Sequence, residues 1–246
     1  MKIAVLTPTR QRLEKRERFH KSVVDLADQP HNVKMYYYID SDDPEANNYL
    51  LQDLPGYRLD HIGDPISVSK SWNTIAELAV EDGCEVLIMG NDDMVYETQG
   101  WDTELRKVIT EEFPDNIYCV WFQDGIKTVD TQCAFPIVSA EWFKTLGYFT
   151  PGVFHFGYND TWIHEIGVRI NRTKWITNVY TRHEHITRDW SRMDETYARV
   201  WRAKEGNLYD KDAPIWEATA HMREKDAQKL RDLIEEKASN EKNSTL

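Results

Sequence analysis

The stretch EVLIMGNDDMVY, residues 85–96, decides the fold expected for this chain, because an apolar run ends abruptly in acidic residues. The run Val86–Met89 has the composition of a buried strand. Asp92 and Asp93 follow it almost at once, and adjacent carboxylates repel each other unless a cation or hydrogen-bond donors compensate them. The pair therefore predicts either an aspartate-capped turn or a site for a divalent cation.

Strand-like and helix-like segments alternate before this stretch. KIAVLT (2–7) and VKMYYYID (33–40) are typical of buried strands. RLEKRERFHKSVVDLAD (12–28) and SVSKSWNTIAELAVEDG (67–83) carry apolar residues at helical spacing. This alternation predicts an α/β fold with a parallel sheet and helices on both faces, the architecture of nucleotide-binding domains.

The second half of the chain alternates less strictly and favours a mixed sheet. We predict one domain over residues 1–205, with a nucleotide-binding half at about 1–98 and an acceptor half at about 99–205. A charged helical extension should follow over residues 206–238, and residues 239–246 should form a disordered tail. The extension could pack on the domain or mediate a homo-oligomer.

Composition excludes several classes of protein. The 30 basic and 42 acidic residues give a net charge of −12, which argues against affinity based on a general nucleic-acid phosphate footprint. The chain has 3 cysteines without metal-site spacing, which indicates neither a disulfide framework nor a zinc site. No stretch is long and apolar enough for a signal peptide or a membrane span, so a cytoplasmic location is expected.

Polar residues follow each predicted strand of the first half. The first strand ends in Thr7-Pro8-Thr9-Arg10, the second at Asp40 and the third at Asn91-Asp92-Asp93. In an open α/β sheet, ligands bind beyond the carboxyl ends of the strands. A pair of carboxylates suffices for Mg²⁺ or Mn²⁺ when the ligand brings phosphate oxygens.

Three residues further along could complete such a site. His183 and His185 follow the strand-like segment WITNVYT, and imidazole is a suitable Mn²⁺ ligand. At most one of them readily faces the site, because residues two apart in an extended segment point to opposite sides. Asp160 stands where a helix begins, as an N-cap or as a general base. Trp162, two residues later, is predicted to contact the ligand.

The order of these motifs resembles that of the family-2-type glycosyltransferases, which have the GT-A fold. The resemblance extends from Lys2 to His185. It depends on TPTR (7–10), YYYIDSDD (36–43), the helical segment leading into CEVLIMGNDD (84–93), GYNDTWIHEIGVR (157–169) and HEH (183–185). It implies metal-dependent transfer of a hexose or pentose from a nucleotide-sugar, with a UDP-sugar expected, to an acceptor hydroxyl with inversion.

The resemblance also implies roles for individual residues. Thr7, Pro8, Thr9 and Arg10 would line the nucleotide pocket, Asp40 would contact the base, and Asn73 would lie near the nucleotide. Asp93 would bind Mn²⁺ or Mg²⁺ together with His185 or His183, Asp92 would contact the ribose, and Asp160 would be the general base. The chain departs from the family pattern at Gly90-Asn91 and at Asn159, where acids are usual. The reverse assignment of Asp92 and Asp93 stays open.

Two other functions stay open on the sequence. A nucleotidyltransferase would also use acids at strand ends, although TPTRQR follows the first strand where a glycine-rich phosphate loop would be expected. A non-catalytic nucleotide-sugar or glycan-binding module would explain the two departures. The acceptor is undetermined, and a nucleic acid is not favoured.

Overall fold

The computed structural model describes residues 1–126, 133–189, 193–201 and 207–244. Within these residues a mixed sheet has the strand order β3-β2-β1-β4-β7-β6-β8-β5. The strands are β1 Ile3–Thr9, β2 Val33–Asp40, β3 Tyr57–Gly63, β4 Val86–Met89, β5 Met94–Tyr96, β6 Cys119–Gln123, β7 Ile137–Ser139 and β8 Thr173–His183. The helices are α1 Leu13–Asp25, α2 Ala46–Leu50, α3 Val68–Glu81, α4 Trp101–Glu112, α5 Ala140–Leu146, α6 Asn159–Arg169, α7 Glu195–Trp201, α8 Leu208–Ala218 and α9 Ala220–Ser244.

The first half of the sheet is parallel, as the alternation predicts. β1 lies between β2 and β4 and is parallel to both, and β3 is parallel to β2. In the second half, β7 is antiparallel to β4 and β6, and β8 is parallel to β6. The α/β fold class with a mixed sheet is therefore confirmed. The carboxyl ends of β1, β2 and β4 meet at one edge, where polar side chains were expected.

Gly90 sets the path of the chain after β4. Its N–H donates to the carbonyl of Leu6 at 2.8 Å, so the backbone of β4 stays against β1 to its last residue. A Cβ at this position would lie 2.5 Å from Thr7 Oγ1 and 3.0 Å from the Leu6 carbonyl oxygen, so only glycine fits. The chain then turns into β5, which pairs antiparallel with β8 and places Met94 opposite His183. The acid pair is thereby carried next to the end of β8.

Helices cover both faces of the sheet and form two apolar layers. On one face α1 and α4 bury residues such as Phe19, Val23, Trp101 and Leu105. On the other face α3 buries Trp72, Ile75 and Ala79 at helical spacing. The Ser67 side chain accepts a hydrogen bond from the Lys70 N–H and caps α3.

The C-terminal helices belong to the same core. Ala227 and Leu230 of α9 are fully buried in the layer that contains α3 and α6. The helix continues to Ser244, beyond the boundary at residue 238 that we predicted for the helical extension. Residues 220–244 contain no glycine or proline, so nothing in the local sequence ends the helix earlier. Among the described residues, none of the helices has the length and apolar character needed to cross a membrane.

Candidate active site

A cavity of about 610 Å³ opens beyond the carboxyl ends of β1, β2 and β4. The loop before α6, the end of β8 and helices α7 and α8 form its other walls. It brings together most residues that the sequence nominates, namely Pro8, Thr9, Arg10, Asp40, Asp92, Asp160, His183 and His185.

Asp92 is balanced by an arginine. Its side chain is 1% exposed and accepts hydrogen bonds from Arg12 NH1 at 2.7 Å and from Thr9 Oγ1 at 2.8 Å. Burial raises the pKa of Asp92, and the Arg12 guanidinium opposes that rise. Arg12 is itself buried and also donates to both carboxylate oxygens of Asp194, at 2.9 and 3.0 Å. The cost of burying Asp92 is therefore offset by a protein cation.

Asp93 lies behind the cavity wall and is fully buried. It accepts a hydrogen bond from the Tyr197 hydroxyl, and its Oδ1 lies 3.5 Å from Nε2 of His183. The other ring nitrogen of His183 lies 3.7 Å from Oδ2 of Asp124. Burial alone would lower the pKa of His183, but the Asp93 and Asp124 carboxylates raise it to about 9. Burial would likewise raise the pKa of Asp93, but charged His183 holds it well below its ordinary value.

Asp93 provides a carboxylate, which Mn²⁺ and Mg²⁺ both prefer, and His183 provides an imidazole, which suits a transition metal rather than Mg²⁺. Both ring nitrogens of His183 and Oδ1 of Asp93 are buried, and none makes a hydrogen bond of normal length within the described residues. His185 lies beside them, with its ring centroid 5.0 Å from that of His183. In the described part of the chain, no group of three or more such residues forms a complete metal centre. The residues fit such a cation once His183 has lost a proton, because a metal binds the neutral imidazole, and the ligand would complete the coordination.

Arginines that are paired with aspartates line the part of the cavity near β1 and β2. Arg10 NH1 lies 3.1 Å from Asp40 Oδ2 and also pairs with Asp42. Arg199 of α7 approaches Asp40 from the other side at 3.5 Å. Because Arg12 lies on the same wall, three guanidinium groups reach this region.

Asp160 is the second residue of α6 and lines the cavity. Its Oδ1 accepts hydrogen bonds from the Thr161 N–H at 2.8 Å and from the Thr161 hydroxyl at 3.2 Å. Asn159, which stands at the first position of the acidic motif, has a structural role. Its side chain accepts from Ser69 Oγ at 2.7 Å and donates to the carbonyls of Phe156 and Gly157.

Three residues that were predicted to contact a ligand do not line this cavity. Thr7 is fully buried under Gly90 and does not line the cavity. The Asn73 side chain donates to the Thr150 carbonyl at 2.8 Å and accepts from the N–H groups of Phe149 and Thr150 at 2.9 Å each. It therefore holds a loop instead of facing a nucleotide. Trp162 is fully buried among Phe154 and Trp216, because it lies on the inner face of α6.

Comparison with solved structures identifies the fold. The chain superposes on S. aureus TarS 1-349 in complex with UDP with a TM-score of 0.56 at 14% identity, over 73% of this chain and 60% of that one. The complex of TarS 1-349 with UDP-GlcNAc gives a TM-score of 0.57 at 13% identity, over 73% of this chain and 58% of that one. The mannosyltransferase PcManGT from Pyrobaculum calidifontis, in complex with GDP-Man and Mn²⁺, gives 0.56 at 12% identity, over 97% of this chain and 75% of that one.

These matches rest on structure and not on sequence. No protein-family model and no curated protein sequence matches the chain. The chain spans about 60% of the length of TarS 1-349. These structural matches confirm the resemblance at the level of the fold, and the chain has a GT-A-type fold.

Proposed function

We propose that this chain is a glycosyltransferase that moves a sugar from a nucleotide-sugar, in the first instance a UDP-sugar, to an acceptor hydroxyl. One observation carries the proposal: a single cavity combines the guanidinium groups of Arg10, Arg12 and Arg199 with the carboxylate of Asp160. The arginines suit a diphosphate, and the carboxylate suits an acceptor hydroxyl. The fold supports the proposal, because proteins that share it bind UDP-GlcNAc and GDP-Man.

We assign a role to each residue that would bind the nucleotide-sugar donor. Pro8, Thr9 and Arg10 would contact the nucleotide, and Asp40 would accept a hydrogen bond from the base, as the family resemblance implies. Asp92 would contact the ribose. Arg12 and Arg199 would stabilise negative charge on the diphosphate as it leaves.

Asp93 and His183 would hold Mn²⁺ or Mg²⁺, with His185 next to them. When bound, the cation would supply further neutralisation of the diphosphate. The assignment rests on the buried donor atoms of Asp93 and His183.

Asp160 would act as the general base in a single displacement. Its carboxylate takes the proton of the acceptor hydroxyl while the hydroxyl oxygen attacks the anomeric carbon. The bond from that carbon to the diphosphate oxygen breaks, and its electron pair leaves with the diphosphate. Attack on the face opposite the leaving group inverts the anomeric centre.

Calorimetric titration, together with a turnover assay, distinguishes metal-dependent nucleotide binding from general-base catalysis. We expect UDP or GDP to bind in the presence of Mn²⁺, Asp93→Asn to abolish the Mn²⁺-dependent part, and Asp160→Asn to retain it. Turnover of UDP-GlcNAc, UDP-glucose or GDP-mannose should fall by about 10²–10⁴-fold in Asp160→Asn, the usual contribution of a general base. Asp232→Asn, at an exposed carboxylate on α9, is the matched control and should match the wild type.

Two results would contradict the proposal. Normal turnover in Asp160→Asn would remove the general base from the mechanism. Nucleotide binding without turnover of any donor would instead indicate a non-catalytic binding module.

A further inference from the structure

A buried carboxylate from α8 organises the cavity wall that the loop before α6 forms. Asp212 is fully buried and accepts hydrogen bonds from three consecutive backbone N–H groups, those of His155 at 2.9 Å, Phe156 at 2.8 Å and Gly157 at 2.8 Å. The same carboxylate contacts Nδ1 of the His155 ring at 2.8 Å. The C-terminal helices therefore shape the loop that leads into α6.

This contact fixes which nitrogen of His155 faces the cavity. A carboxylate that already receives three N–H groups acts as an acceptor, so Nδ1 carries the proton and donates it. Nε2 of the neutral ring is then a hydrogen-bond acceptor. The His155 side chain is 53% exposed and lines the cavity, and Nδ1 points at a buried group, so Nε2 lies on the open side of the ring.

The cavity wall differs in chemistry from element to element. Arg10, Arg12 and Arg199 bring guanidinium groups, which suit phosphates, from the segment after β1 and from α7. The loop before α6 and the start of α6 present two hydrogen-bond acceptors, the imidazole of His155 and the carboxylate of Asp160. The half-buried rings of Phe156 and Tyr209 line the same cavity, with their centroids 5.3 Å apart. A ligand beside these groups can donate hydroxyl hydrogen bonds to the two acceptors and pack its C–H faces on the rings, whereas a phosphate would lie beside the Asp160 carboxylate.

We propose that the wall around His155 and Asp160 is the acceptor subsite, that its ligand is a neutral glycan, and that Nε2 of His155 binds one of the glycan hydroxyls. Asp212 is the positioning residue that holds the ring. The inference rests on the proposed function and names its acceptor class. A nucleic-acid acceptor is disfavoured because its phosphates would lie next to the Asp160 carboxylate.

Two substitutions of the same residue separate ligand binding from loop anchoring. In His155→Asn the side-chain amide can take the place of Nδ1 and still donate to Asp212, but nothing replaces Nε2. In His155→Gln the amide can reach the position of Nε2, but the bond to Asp212 is lost. If His155 only anchored the loop, His155→Asn would behave as the wild type. His31→Asn, at an exposed histidine that does not line the cavity, is the control.

The test is binding of chitotetraose, maltotetraose and mannotetraose to the full chain, measured by NMR titration with UDP and Mn²⁺ present. A short oligothymidylate is the competing probe. We expect one of the oligosaccharides to bind and His155→Asn to weaken it by about three- to tenfold, the usual effect of losing one hydrogen bond. UDP affinity should be unchanged in His155→Asn and in His31→Asn.

Several results would overturn the inference. These are wild-type glycan affinity in His155→Asn, tighter binding of the oligothymidylate than of every oligosaccharide, or no oligosaccharide binding while UDP binds normally. If the wild-type protein did not bind UDP, the result would instead contradict the proposed function. Nitrogen-15 correlation spectra of the free protein provide a test without any ligand, because they show which ring nitrogen of His155 carries the proton. A proton on Nε2 in place of Nδ1 would also overturn the inference.

Discussion

Arg12 compensates the buried charge of Asp92, which follows β4. It donates to Asp92 at 2.7 Å and to both oxygens of Asp194, and it is only 6% exposed. Removing one partner from a buried ion pair leaves an uncompensated charge, which is far more costly than losing an exposed pair. Arg12 therefore belongs to the structural support of the cavity as well as to its charged wall.

His20 gives a pH dependence to the stability of the fold. It is fully buried, its Nε2 donates to the Pro55 carbonyl at 2.7 Å, and its Nδ1 accepts from the Tyr37 hydroxyl at 3.0 Å. Burial lowers the pKa of His20 from 6.5 to about 4. Below pH 6.5 the unfolded chain binds a proton that the folded chain excludes, so stability falls as the pH drops towards 4. The expected loss is about 3 kcal/mol.

Urea unfolding at about pH 7 and about pH 4.5 measures this contribution. The wild type should lose more stability over the interval than His20→Gln, whatever the stability of the variant at neutral pH. Equal losses in the two proteins would show that His20 does not titrate as its burial requires.

At the scale of single residues, the sequence shows which side chains need a compensating charge better than it shows which residue supplies that charge. It predicts that Asp92 and Asp93 need compensation, and it attributes this to a divalent cation. The structure shows that Arg12 and His183 already supply protein cations. Arg12 stands in RQRLEKRERFHK, where alternating charges indicate a solvated helix face. Its burial follows from the packing of α7, which no local pattern encodes.

Helix α3 illustrates how an element connects distant parts of the chain. Asn73 lies on α3 and its amide makes three hydrogen bonds to Phe149 and Thr150 in the loop after α5. Asn73→Ala should lower the free energy of unfolding by about 1–3 kcal/mol, because it leaves backbone groups unpaired. UDP affinity should not change, since Asn73 does not line the main cavity.

The comparison of stability and affinity decides between the two roles of Asn73. If Asn73→Ala lowered UDP affinity and left stability unchanged, the result would support the nucleotide contact that the family resemblance implies. Thr74→Ala, at the neighbouring residue on the same helix, is the control and should change neither quantity by much, since its hydroxyl bonds only within α3.

The sequence predicts best those strands and helices whose apolar residues form a continuous run or recur at a regular spacing. The strands β1, β2 and β4 and the helices α1 and α3 follow the quoted segments closely. β3 was not predicted, because YRLDHIG has neither a continuous apolar run nor clean alternation. β5 has only 3 residues and exists because β8 pairs with it. α4 carries a buried stripe at helical spacing, including Trp101, Leu105 and Ile109, and that signal was available in the sequence.

The whole molecule unfolds as one unit if α9 belongs to the main core. Leu230 of α9 is fully buried in the same apolar layer as Ile75 of α3. Leu230→Ala should therefore cost about 2–5 kcal/mol, the usual effect of truncating a buried leucine. Leu51, which is 81% exposed, is the matched control, and Leu51→Ala should change stability by less than about 0.5 kcal/mol.

Urea unfolding followed by both tryptophan fluorescence and circular dichroism tests the cooperativity. Coincident single transitions, shifted together by Leu230→Ala, are expected for one core. A second transition that alone responds to Leu230→Ala would show that α9 unfolds independently of the main core.

The hydrogen bonds between Asp212 and residues 155–157 have a consequence for how the protein matures. The loop that forms one cavity wall closes only on a carboxylate that lies 55 residues or more further along the chain. Such long-range contacts form late in folding, because the entropy of closing the intervening segment must be overcome first. During synthesis the parallel half of the sheet can assemble before α8 leaves the ribosome. The cavity wall formed by residues 155–157 would therefore be completed only after the strands that carry the rest of the cavity are in place.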